Sequence, residues 1–193
     1  MTEIICLASG SPRRQELLQQ IGVAFELIGA AVDERLHAGE APAHYVARLA
    51  RAKALAGAAQ ASYAQRTVLG ADTAVAIGDR ILGKPRDRSE AEMFLGLLSG
   101  TCHQVYSAVA VTSPSYCGVL VSQSNVHFRV ISARERAAYC AGEEPWDKAG
   151  GYAIQGLAAI FAEHLEGSYS AVMGLPLYET AQLLREAGVA VLT

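Results

Sequence analysis

The sequence predicts a mixed α/β fold in which helices pack on a sheet. Three observations point there. Apolar runs of strand length alternate with longer segments whose apolar residues recur at helical spacing. Helix-start signals recur, with Pro12 behind Ser11 and two capping boxes, Ser89-Glu90-Ala91-Glu92 and Ser132-Ala133-Arg134-Glu135. The chain has 193 residues, 51% of them hydrophobic, enough for a core without disulfide or metal staples. That length is one compact domain, or two lobes sharing a core.

Ile4-Ile5-Cys6-Leu7-Ala8 reads as a short buried strand. Ser11 suits an N-cap and Pro12 the first helical position, so a helix is expected from Pro12 to about Ile21. Val23 to Ile28 reads as a second strand. A helix is expected from about Ala43 to Ala61 on the stripe Val46, Leu49, Ala50 and Ala54. Val68 to Ile77 is a long apolar strand, which Gly78-Asp79 turns into Arg80-Ile81-Leu82. The box at Ser89 opens a helix to Leu98. Gln104 to Val111 and Val119 to Ile131 read as two long strands. The box at Ser132 opens a helix ending near Gly142, and a loop spans Glu143 to Gly151. Short strand segments follow, then a helix opened by Pro176 and stopped at Gly188.

Composition excludes several classes. The net charge of -3 and the scattered aromatics argue against a nucleic-acid-binding module or a surface for anionic membrane. No apolar run reaches the roughly 18 residues of a spanning helix, and acidic Glu3 stands where a signal peptide would be basic. A cytoplasmic protein is expected. Cys6, Cys102, Cys117 and Cys140 form no CxxC pair and read as small buried hydrophobes. The five histidines show no metal spacing, and there is no Walker A, GxGxxG or GxSxG pattern. Only three of the 16 basic residues are lysines, Lys53, Lys84 and Lys148.

Several polar residues stand where local structure alone does not account for them. Ser9-Gly10-Ser11-Pro12-Arg13-Arg14 joins a strand to a helix, and Arg13 and Arg14 oppose the helix dipole in its first turn. An anion at the helix start would draw in the two serines and both guanidiniums; otherwise the arginines point to water. Lys53 lies four residues after Leu49, within the apolar stripe, and needs a partner or a snorkelling route, while Arg48 and Arg51 fall on the opposite face. Asp72 and Thr73 interrupt the apolar run of Val68 to Ile77; a carboxylate there must be paired, protonated or metal-bound. Lys84 is held between Gly83 and Pro85, and Glu34 follows the second strand. Asp147-Lys148-Ala149-Gly150-Gly151-Tyr152 with Ile154-Gln155-Gly156 is Gly-rich, so a ligand could approach its backbone.

Taken together these motifs resemble the Maf family of nucleoside triphosphate pyrophosphatases. The match runs through LASGSPRRQELL (Leu7 to Leu18), VDE (Val32 to Glu34), Lys53, GADT (Gly70 to Thr73) and LGKP (Leu82 to Pro85). It continues through LSG (Leu98 to Gly100), DKAG (Asp147 to Gly150), IQG (Ile154 to Gly156), EGSY (Glu166 to Tyr169) and GLPLYET (Gly174 to Thr180). SPRR followed by IQG resembles the branch acting on dTTP and UTP; the branch acting on 7-methyl-GTP would carry a carboxylate in place of Gln155.

The resemblance implies an elongated, twisted mixed sheet with helices on both faces, Maf/ITPase-like. It implies a single domain over residues 1–193, in two lobes around a central cleft. It implies hydrolysis between the α and β phosphates with a divalent cation, Mg²⁺ or Mn²⁺. Lys53 and Lys84 would hold phosphate oxygens and neutralise the transition state. Asp72 would accept the attacking water's proton or ligate the metal, and Glu34 would share the metal or orient the water. Ser9, Ser11, Arg13 and Arg14 would bind phosphate or position the base end, and Thr73 and Gln155 would read the base. Lys148 is a weaker candidate whose loop shapes the pocket. A primary amide offers a carbonyl and an NH₂ side by side, which suits the N3–H and neighbouring carbonyl of uracil or thymine. The resemblance leans toward a homodimer. Three other readings stay open: a nucleotide-binding regulator of cell division with little turnover, a 7-methyl-GTP pyrophosphatase, and a house-cleaning hydrolase of modified pyrimidine nucleotides.

Overall fold

A computed structural model describes residues 3–60 and 62–192. Seven strands form one sheet in the order β2-β1-β3-β5-β6-β7, with β4 pairing β3 off this path. They are β1 (Ile5–Leu7), β2 (Phe25–Leu27), β3 (Val68–Ile77), β4 (Arg80–Leu82), β5 (Cys102–Ser113), β6 (Tyr116–Phe128) and β7 (Ala162–Glu166). The helices are α1 (Pro12–Gln20), α2 (Pro42–Ala58), α3 (Arg88–Leu98), α4 (Ala133–Tyr139), α5 (Tyr169–Met173) and α6 (Leu177–Glu186). Crossovers through helices make β1 parallel to β2 and β3, while tight connections make β3-β4 and β5-β6 antiparallel.

Helices cover both faces, as the family resemblance implies. On one face α2 presents Val46, Ala50 and Ala54 to Ala74, Ala108 and Ala110 of β3 and β5. On the other, Leu17 and Leu18 of α1 and Leu183 and Leu184 of α6 pack on Leu69, Ala71, Val109 and Val111. Leu95 and Leu98 of α3 continue this layer with Val75, Val105 and Phe128. The alanines let α2 lie close to the sheet, and Gly70 makes the closest approach. A Cβ there would stand 2.4 Å from the Ala50 carbonyl oxygen and 2.5 Å from the Ala54 nitrogen.

β3 and β4 have the predicted bounds, and several other elements differ. Strand β2 is confined to Phe25–Leu27 of the expected Val23 to Ile28. Helix α2 begins at Pro42 and ends at Ala58; Ala61, its expected end, lies outside the described residues. β5 and β6 meet in a tight hairpin, Ser113 opposite Tyr116, because partnered backbone groups let polar Thr112 and Ser113 extend the strand. Arg129 then leaves the ladder to bond the Phe161 carbonyl, so β6 stops at Phe128 rather than Ile131.

The N-cap of α3 is Asp87, which accepts from the Glu90 N–H at 2.8 Å, not Ser89. Arg86 draws Glu90 back by a forked pair, fixing the earlier start. Ser132 and Glu135 do form a reciprocal box at α4, which ends at Tyr139 instead of near Gly142. Pro176 is the N-cap of α6 and so opens that helix, as expected. Cys6 and Cys140 are buried, but Cys102 and Cys117 are exposed, since strand alternation turns them outward. Among the described residues no helix is long and apolar enough to cross a membrane.

One edge of β3 decides where the site lies. β1 pairs that edge at Val68 and Leu69, and β4 pairs it at Val75 to Ile77. Gly70 to Ala74 is left between them. Cys6 and Ala8 donate to the carbonyls of Thr67 and Leu69, so alternation turns the N–H and C=O of Ala71 and Thr73 into this gap.

Candidate functional site

A cavity of about 340 Å³ occupies the gap, within the range of small-ligand sites. Lys53, Asp72, Thr73, Glu34, Lys84 and Gln155 line it, with Ser11, Arg13 and Arg14. Ser9 lines a groove that continues from it along the start of α1. Every residue picked out from the sequence therefore reaches this one region.

The centre is an ion-pair triad. Lys53 Nζ lies 2.7 Å from Asp72 Oδ1 and 2.6 Å from Glu34 Oε1. α2 supplies the lysine, β3 the aspartate, and the loop before α2 the glutamate. The Lys53 and Asp72 side chains are nearly buried, at 12% and 11% exposure, whereas Glu34 is 54% exposed. Burial pushes the Asp72 carboxyl above the usual aspartate range, and the charges of Lys53 and Arg14 offset this only in part. Partial burial also acts on Glu34, but there Lys53, Lys84 and Arg14 outweigh it and hold the carboxyl below its usual range. The two carboxylates are thus unequal partners of one ammonium.

The loop bearing Glu34 is tied to α2. Tyr45 Oη donates to the Glu34 carbonyl at 3.0 Å. Arg48 forks onto Glu40 at 2.6 and 2.7 Å and reaches the Arg35 carbonyl at 3.1 Å. Arg48 is therefore a clasp for this loop and not merely solvated on the outer face. Tyr45 was missed from the sequence; its position eight residues before Lys53, on the same helix face, was the available signal.

At the start of α1, Ser11 occupies the N-cap position without a side-chain cap bond, so the first-turn N–H groups keep no hydroxyl partner from it. Arg14 donates to the Gly174 carbonyl and to Ser9 Oγ, each at 2.9 Å. Arg13 reaches Asp147 at 3.4 Å, joining α1 to the Gly-rich loop. Neither guanidinium points simply to water.

Thr73 closes the opposite face. Ser107 donates to the Ala171 carbonyl at 2.6 Å, so the 2.7 Å contact between the two hydroxyls has Thr73 donating. Lys148 is turned to the Glu144 carbonyl at 2.9 Å and to Asp147 at 2.5 Å, which makes it part of the wall. Among the described residues Lys84 enters no ion pair, leaving its ammonium for a ligand.

No three His, Cys, Asp or Glu side chains gather among the described residues as a self-sufficient metal cage. Glu34 and Asp72 do converge, but on Lys53 Nζ, so a cation between them requires that ammonium to swing away, toward a phosphate. Two carboxylates suit a hard cation whose other ligands are water and substrate phosphates.

Comparisons with known proteins show what the chain is similar to. The family model of Maf-like proteins matches residues 4–187. The dTTP/UTP pyrophosphatase of Vibrio cholerae serotype O1 is 50% identical over 182 residues, 94% of this chain and 97% of its own. That of Methylobacillus flagellatus is 49% identical over 187 residues, 97% of this chain and 94% of its own. That of Pseudoalteromonas atlantica is 48% identical over 189 residues, 97% and 98% of the two chains.

Proposed function

The chain belongs to the Maf family, and from this we propose that it is a nucleoside triphosphate pyrophosphatase. It hydrolyses dTTP and UTP to the nucleoside monophosphate and pyrophosphate. The observation that carries the reading is the convergence of Lys53, Asp72 and Glu34 beside Lys84, the α1 arginines and Gln155 in one cavity. The names of the relatives, matched over nearly their whole length, support the same substrates.

The triphosphate, with about four negative charges, needs positive groups placed in advance. Lys53 and Lys84 hold phosphate oxygens, and Arg13 and the first-turn N–H groups of α1 receive the distal phosphates. Glu34 and Asp72 would hold a divalent cation, Mg²⁺ or Mn²⁺, once Lys53 turns from them to a phosphate. When bound, that cation withdraws charge from the phosphates and acidifies water. Asp72 takes the proton of the attacking water or fixes the cation. Its raised affinity for a proton suits the first role. Glu34, more exposed and more acidic, orients the water or shares the cation. Thr73 and Gln155 stand at the base end.

The experiment is pyrophosphate release from a nucleotide panel with Mg²⁺ or Mn²⁺, before and after chelation. Release confined to dTTP, UTP and their modified pyrimidine analogues supports the reading; tight dTTP binding without product overturns it. The family resemblance supports a homodimer and a cytoplasmic location, which sedimentation and cell fractionation test.

A further inference from the structure

Glu144 does not line the cavity, yet its carboxylate is bound to the segment that follows Gln155. Oε2 accepts from the Leu157 N–H at 2.7 Å, and Oε1 accepts from the Ala158 N–H at 3.1 Å. Oε1 also accepts from Tyr139 Oη of α4 at 2.8 Å, and Tyr139 is itself buried. Gly156, the residue next to Gln155, is shaped to this arrangement. A Cβ there would lie 2.3 Å from Oε2 and 2.8 Å from Oε1, so the carboxylate fills the space glycine leaves. The Glu144 main chain belongs to the same wall, since its carbonyl accepts from Lys148.

Three donors converge on one carboxylate, and such charge-assisted bonds are shorter and stronger than neutral ones. They fix the backbone on the C-terminal side of Gln155, while Ile154 on the other side is buried in the core. Gln155 itself is exposed toward the cavity and has no such packing to hold it. We infer that Glu144 is a positioning residue: it sets where the Gln155 amide stands and so sets affinity for the pyrimidine base. This rests on the reading of Gln155 as the base-recognising residue.

Glu144→Gln keeps the shape but replaces one acceptor oxygen with an NH₂, which then faces a backbone donor. The test is steady-state dTTP hydrolysis by Glu144→Gln, Gln155→Ala and the double variant. Each single change should raise KM at least about fivefold, the size of one lost hydrogen bond, with much less effect on kcat. The double variant should show the KM of Gln155→Ala alone, because Glu144 acts through Gln155. Gly156→Ala intrudes on the carboxylate from the other side. It should raise KM likewise and be equally silent beside Gln155→Ala, which keeps the test open if Glu144→Gln does not fold. Additive KM effects, or a wild-type KM in Glu144→Gln and Gly156→Ala, overturn the inference and leave the reading of Gln155 standing. A wild-type KM in Gln155→Ala overturns that reading, and the inference with it.

Discussion

Lys53 Nζ and Asp72 Oδ1 stand 2.7 Å apart and join helix α2 to strand β3 where that strand's edge has no partner. With Glu34, the pair places two carboxylates and a cation in one cavity.

Asp72→Asn should lower turnover by at least about a hundredfold, the scale of a lost general base or metal ligand. The sign of its stability effect follows from the raised pKa. The folded value lies above the unfolded 3.8, so the native site favours the protonated form. Ionising Asp72 therefore costs stability as pH rises through the folded value. The variant should melt at or above the wild-type temperature at pH 7, and the difference should close below pH 3.8. The acid limb of wild-type activity should likewise lie above 3.8. Calorimetry and a pH-rate profile check these; a large drop in melting temperature at pH 7 would contradict them.

Gly70→Ala should destabilise the fold by about 1–3 kcal/mol, as overpacking does. The added methyl meets the backbone of α2 at Ala50 and Ala54, and helix backbone cannot yield as a side-chain tip can. Moving α2 also moves Lys53 from Asp72, so kcat should fall together with stability. Urea denaturation and dTTP turnover measure the two effects.

Tyr45→Phe removes the hydroxyl that holds the Glu34 carbonyl and leaves the ring in place. The expected loss in kcat/KM is about fivefold, one hydrogen bond's worth, with little change in thermal midpoint. A wild-type kcat/KM would show that α2 does not need this tie to present Glu34.

Gln155→Glu exchanges a donor-acceptor pair for an acceptor-only group. Turnover of dTTP should fall more than any activity on 7-methyl-GTP, whose charged base favours a carboxylate. Equal losses on both substrates would remove Gln155 from base selection.

Much of this site was legible in the chain. Asp72 shows as a carboxylate inside an apolar run, and Lys53 as a cation inside an apolar stripe; each signals an unfavourable burial that some partner must relieve. The Asp87 cap of α3 was less legible. Asp87 and Ser89 are both able N-cap acceptors, and what separates them is the ion pair from Arg86 to Glu90. Glu144 showed no signal at all, because its three donors come from α4 and from backbone more than ten residues away.

The sequence by itself determined the alternation of strands and helices, the stripe of α2, the apolar length of β3 and the family. Those follow from periodicity and from short motifs, which act between near neighbours. The tertiary structure decided the rest. β1 and β4 share one edge of β3 and leave Gly70 to Ala74 between them. Gly70 lets α2 close on that gap, so Lys53 meets Asp72 and Glu34 there. Strand pairing and ion pairing join residues that only packing brings within reach, and no local pattern encodes those distances.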